Sequence, residues 1–161
     1  MFGNEIAINE FLSQQLEKVA NDIPEDDFFP PSIGHGHPPV WILGHLAIVA
    51  EMGQRTLGGT ISHPAWLRLF GPGSSDIVSP NDEFTKPGMI SCVIENYRKF
   101  RELAATVDEL VVRKPHNVSF FAGTSIKTVE QCMSHLLTSH FALHLAQLSS
   151  CRRAAGFGPI F

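Results

Sequence analysis

Apolar positions recur at helical spacing in four stretches of the chain, separated by runs rich in proline, glycine and asparagine. Residues 4 to 20 carry Ile8, Phe11, Leu12, Leu16 and Val19 near helical spacing, which predicts a first helix buried along that stripe. Asn21, Asp22 and Pro24 stop it. The stretch EDDFFPPSIGHGHPP reads as loop, because its prolines and glycines rule out regular structure. Pro38 and Pro39 then suit a helix start, since proline lacks the amide donor that a first turn leaves unpaired. A second helix should run from about Val40 to Leu57, stop at Gly58-Gly59, and bury Trp41, His45, Ile48, Val49 and Met52.

The segment from Thr60 to Lys86 is too polar and broken for a long helix, although HPAWLRLF suits a short one. A connection of this length crosses the end of a bundle or covers something. The third helix is expected from Pro87 to about Val107, burying a subset of Met89, Val93, Tyr97, Phe100 and Leu103. A second irregular stretch follows, roughly Glu109 to Lys127, where Val111, Val112 and Val118 to Phe121 leave room for short strands. The fourth helix opens with Thr128-Val-Glu-Gln131, the spacing of a capping box, and is expected to run unbroken to Arg153 before Gly156. The simplest architecture is all-α: one domain spanning residues 1–161, a four-helix bundle with two long connections.

Composition narrows the function classes. A chain with 43% hydrophobic and 17% charged residues reads as globular. A net charge of −4 with no cluster of lysine or arginine gives no electrostatic reason to expect nucleic acid as a partner. No apolar run reaches the length of a membrane span, and MFGNEIAINEF lacks the basic start and apolar core of a signal peptide. The three cysteines, Cys92, Cys132 and Cys151, all fall in predicted helices, so the expectation is a reducing cytoplasm and no disulfide framework. No nucleophile elbow, phosphate-binding glycine loop or Cys-x-x-Cys pair is present.

Eight histidines are the one compositional excess. On a helix, His140 and His144 sit about 40° apart and one turn along, so both rings reach one point. Met133, Leu136, Leu137, Leu143 and Leu148 lie on or near the same stripe, which should face the core. His135 lies about 140° from His140 and should face elsewhere. His45 falls on the inward face of the second helix, so three imidazoles from two helices converge and leave a coordination position open, as in a catalytic metal site. Imidazole nitrogen suits zinc, nickel, iron or copper, and zinc or nickel is the ion expected. The plainer alternative is that these are hydrogen-bonded core histidines.

His35 and His37 form a separate loop pair, too far from His45 to share its ion. His63, His116 and His135 read as solvated or surface residues, and the cysteines as buried thiols. Gln147, at i+3 from His144, could orient that ligand or close a helix contact. A general base is not evident; Glu51 and Glu130 are the carboxylates to consider.

Trp41-Ile-Leu-Gly-His45-Leu-Ala, followed far downstream by His140-x3-His144-x2-Gln147, resembles the DinB-like (DinB/YfiT) superfamily. HPAWLRLFGPGSS and the proline-led third helix resemble it too, so the likeness spans nearly the whole chain. One departure is Ala146, where the family pattern places glycine. The resemblance implies an up-down-down-up four-helix bundle, a divalent metal on His45, His140 and His144, and a homodimer. Some members are transferases or isomerases that activate a low-molecular-weight thiol at the metal. The expectation is therefore a metal-dependent thiol transferase or hydrolase acting on a small molecule, with the loops Phe28 to His37 and Trp66 to Ser75 shaping the pocket mouth. The alternative is a non-catalytic metal or small-molecule binding bundle.

Overall fold

Helix ends follow local chemistry. Thr128 and Gln131 form the reciprocal capping box expected of them, and Thr85 Oγ1 accepts from the Gly88 amide at the head of another helix. Gly58 takes a φ of +95°, the left-handed turn that lets its own amide and that of Gly59 close onto the last turn behind them. The computed structural model describes residues 1–31 and 36–160. These described residues form seven α-helices: α1 Gly3–Asp22, α2 Pro39–Thr56, α3 Trp66–Phe70, α4 Lys86–Thr106, α5 Glu109–Val112, α6 Val129–Leu137 and α7 Ser139–Ala154. Short 3-10 turns occur at Glu25–Asp27 and Ser119–Phe121. Among the described residues there is no strand, only an isolated bridge between Pro115 and Thr128, so the valine-rich stretch takes helical turns instead. No helix among them is long and apolar enough to cross a membrane.

The chain is all-helical, and its long segments surround one core. α1 packs on α4 and on α6 and α7, while α2 packs on α4, α3 and the same final pair. α2 is therefore covered on several sides; Val40, Ile42, Leu43, Leu46 and Ala47 are all fully buried. That differs from the single stripe expected of it, and Met52, expected inside, is exposed. On α4 the expected Met89, Val93, Tyr97 and Phe100 are buried. Tyr97 meets Phe141 of α7 edge-to-face at 4.7 Å, and burying an apolar side chain such as Phe141 contributes about 1.5–3 kcal/mol.

Two expectations fail, for related reasons. Leu16 and Val19 are buried as expected, but Ile8 and Phe11 are 48% and 52% exposed, and α1 instead turns Asn9 and Ser13 inward. The fourth helix is not continuous: it breaks at Thr138, whose φ of −117° and ψ of −87° lie outside the helical region. In an unbroken helix the Leu137 carbonyl would accept from an amide one turn on. Here it accepts from Asn9 Nδ2 at 2.7 Å. Asn9 in turn accepts from Arg101 Nη1 at 2.7 Å, and Ser13 does so at 3.3 Å. Polar residues face inward on α1 because they serve the helix break. Leu143, expected on the core stripe, is 58% exposed, lying about 100° around α7 from the buried His144.

Candidate metal centre

α2 and α7 bring three histidines to one point. His45, His140 and His144 each offer a ring nitrogen, and the three atoms lie within 4.8 Å of one another. His45 and His144 are 5% and 7% exposed, while His140 is half-buried and marks the open side. Two of the rings are fixed in tautomer. His45 Nδ1–H donates to the Phe70 carbonyl at 2.7 Å, and His144 Nδ1–H donates to Gln147 Oε1, also at 2.7 Å. Each Nε2 is then the unprotonated, ligand-bearing nitrogen. Gln147 thus takes the orienting role rather than that of a helix contact.

His45 Nε2 faces His140 Nε2 at 3.3 Å. Two imidazole lone pairs at that distance repel unless a proton or a cation lies between them. A tetrahedral ion with metal–nitrogen bonds of about 2.0–2.1 Å holds its ligand nitrogens about 3.3–3.4 Å apart. The His45–His140 spacing therefore matches one edge of a four-coordinate ion's shell. His140 Nδ1 is buried with no hydrogen-bond partner among the described residues, so among them only His45, across from Nε2, bears by hydrogen bonding on this ring's protonation.

Electrostatics favour the neutral, ligating form. Burial holds His140 down to about 2, helped by the neighbouring His144 and His45. His144 is held at about 4, again chiefly by burial. His45 is lowered by burial, partly offset by the Phe70 carbonyl. At neutral pH the cluster presents three uncharged imidazoles, and protons compete little for them.

The remaining histidines find other places. His37 Nδ1 donates to Asp76 at 2.5 Å, and its ring stacks on Trp41 at 4.2 Å. Trp41 stacks in turn on His45 at 4.9 Å, with planes only 6° apart. His35 lies outside the described residues. His63, expected in solvent, donates through Nδ1 to the buried Glu51 at 2.6 Å. Glu51 also accepts from the amides of Ser62 and His63 and from Asn96, which commits it to the loop and removes it as a base for this site. His116 bonds the Ile126 carbonyl and the Val118 amide.

His135 was expected to face away from His140. The break at Thr138 instead lets its ring meet that of His140 edge-on, with centroids 5.7 Å apart. The sequence placed Phe70 and Ser74 in the loop expected at the pocket mouth without giving either a role, and Asp76 was not anticipated. Trp41 at i−4 from His45 was the only available hint of the ring stack; a backbone carbonyl such as that of Phe70 leaves no mark in sequence.

A groove of about 330 Å³ lies elsewhere, between α1, α7 and the final residues, lined by Leu12, Val19, Leu145 and Ile160. None of the three histidines lines it, so groove and chemistry are separate features. Comparison of the chain with protein-family models, curated proteins and solved structures gives no match in any of the three. The geometry stands on its own.

Proposed function

We propose that the chain is a DinB-like, up-down-down-up four-helix bundle that holds a divalent transition metal, zinc or nickel, on His45, His140 and His144. The observation that carries this reading is the convergence of three ring nitrogens within 4.8 Å of one another, with the His45 and His144 rings fixed in tautomer and His45 Nε2 at 3.3 Å from His140 Nε2. Three protein ligands leave a position for a small molecule on the half-buried His140 side. An ion bound there supplies Lewis acidity, which brings the pKa of a thiol or water into the neutral range.

The chain's own residues do the rest. The Phe70 carbonyl and Gln147 keep the Nδ1 protons in place, and the buried walls exclude bulk water. The reaction class proposed is thiol transfer or hydrolysis on a small molecule, with a low-molecular-weight thiol as co-substrate. A non-catalytic metal-binding role is the alternative, favoured by the engagement of Glu51 elsewhere. We also propose a homodimer in which a second copy covers Ile8 and Phe11, the half-exposed apolar pair on α1.

Elemental analysis of tag-free protein tests the metal reading. About one transition metal per chain is expected in the wild type, and none in His45→Ala or His140→Ala. No uptake by wild type after incubation with zinc and nickel would sink it. Thiol-dependent turnover by the loaded protein then separates the enzyme from the binding module.

A further inference from the structure

The segment between α2 and α4 does more than connect them. Its residues 62–76 address α2 turn after turn, in reverse order. At the start, Ser62 N–H, His63 N–H and His63 Nδ1–H all converge on Glu51, at 3.1, 3.0 and 2.6 Å. Glu51 has a side chain only 2% exposed, so its charge depends on these donors and on Asn96. The His63 ring stacks on Trp66, the first residue of α3. α3 ends at Phe70, whose ring fills the place a side chain on Gly44 would need: a Cβ there would sit 2.4 Å from it. That close approach presents the Phe70 carbonyl to His45 Nδ1. Beyond it, Ser74 Oγ accepts from Trp41 Nε1 at 2.9 Å, and Asp76 accepts from His37.

We propose that residues 62–76 form a strap that positions the metal ligand His45, with Glu51 and His63 as the positioning pair that fixes it. The inference rests on the metal reading above. Neither residue belongs to the three-histidine cluster; they act through Phe70. With the strap docked, His45 keeps its proton on Nδ1 and its lone pair on Nε2. With the strap lifted, the ring loses its acceptor, exchanges tautomers and turns. Coupling of this kind is reciprocal. An ion on Nε2 fixes the proton on Nδ1 and strengthens its bond to the Phe70 carbonyl, so loading the site closes the strap. The opening and the metal share one equilibrium.

The test measures zinc affinity by chelator competition and amide hydrogen exchange over residues 62–76, with and without zinc. The proteins are wild type, His63→Phe, which keeps a ring on Trp66 but loses the donor to Glu51, and His63→Asn, whose side-chain amide replaces that donor. Zinc should slow exchange of the strap in the wild type. His63→Phe should lose about tenfold or more in zinc affinity, the usual cost of losing an outer-shell partner, and His63→Asn should recover most of it. A looser strap in His63→Phe with unchanged zinc affinity overturns the proposal. If His63→Phe does not fold, Glu51→Gln, which keeps acceptors for the loop amides and removes the charge, is read the same way.

If wild type takes up no zinc, the affinity is measured with nickel instead, and if it takes up neither, the metal reading has failed by itself. The strap is then judged from the ring-nitrogen shifts of His45 in the metal-free chain. An Nδ1–H tautomer in wild type that becomes mixed in the variant upholds the strap, and the same tautomer in both refutes it.

Discussion

Burial of His140 and His144 makes the metal-free chain acid-sensitive by an amount the structure sets. Both are held well below the ordinary value, His140 at about 2 and His144 at about 4, against about 6.5 in an unfolded chain. When a folded-state pKa lies below the unfolded one, the unfolded chain takes up protons first as the pH falls. Stability is then complete above about 6.5 and is lost progressively below it. At pH 5 the unfolded state gains about 2 kcal/mol per histidine from that uptake, so the pair costs about 4 kcal/mol between pH 8 and pH 5. Against a typical stability of about 5–15 kcal/mol this is a large fraction. His140→Leu removes one of the two buried imidazoles, and its loss over the same interval should be about 2 kcal/mol smaller. Groups distant from the cluster are common to both proteins and cancel in the comparison. Urea unfolding of chelator-treated protein at pH 8 and pH 5 measures both losses. An equal drop in wild type and variant would show that the buried rings do not carry the acid sensitivity, and the reasoning would be wrong.

Three shorter predictions address the neighbours of the site. Gln147→Leu removes the acceptor of His144 Nδ1–H and should weaken zinc binding by about 10- to 100-fold with little change in thermal midpoint; an unchanged affinity would mean that Gln147 does not orient the ring. Asn9→Leu strips the Leu137 carbonyl and Arg101 of their partner and should cost about 1–3 kcal/mol, read by urea unfolding; a neutral result would show that the helix break needs no side chain to hold it. Gly44→Ala gains about 1 kcal/mol of helix propensity but drives a methyl into Phe70, which is fully buried and packed edge-on against Trp66 and Phe84. The overpacking costs about 1–3 kcal/mol, so a lowered thermal midpoint is expected, and a midpoint at or above wild type contradicts it.

Much of this protein is written locally in its sequence. Helix starts and stops at Pro39, Gly58, Thr128 and Gly156 appear near where proline, glycine and capping-box chemistry place them, because those signals act over a few residues. The i, i+4 spacing of His140 and His144 puts two rings on one side of a helix before any tertiary contact exists, and Gln147 follows one turn on. Three matters needed the folded chain. Periodicity says which residues share a stripe of α1, but Asn9 displaced Ile8 from the interior because a carbonyl more than a hundred positions away needed a donor. The break at Thr138, where local pattern favours a continuous helix, turned His135 toward His140. The proton on His45 is placed by the backbone carbonyl of Phe70, and a backbone carbonyl is the same for every residue type. Sequence fixes what short-range geometry can reach; the partners of a buried polar group are decided only when distant segments meet, because its desolvation must be repaid by whatever packs against it.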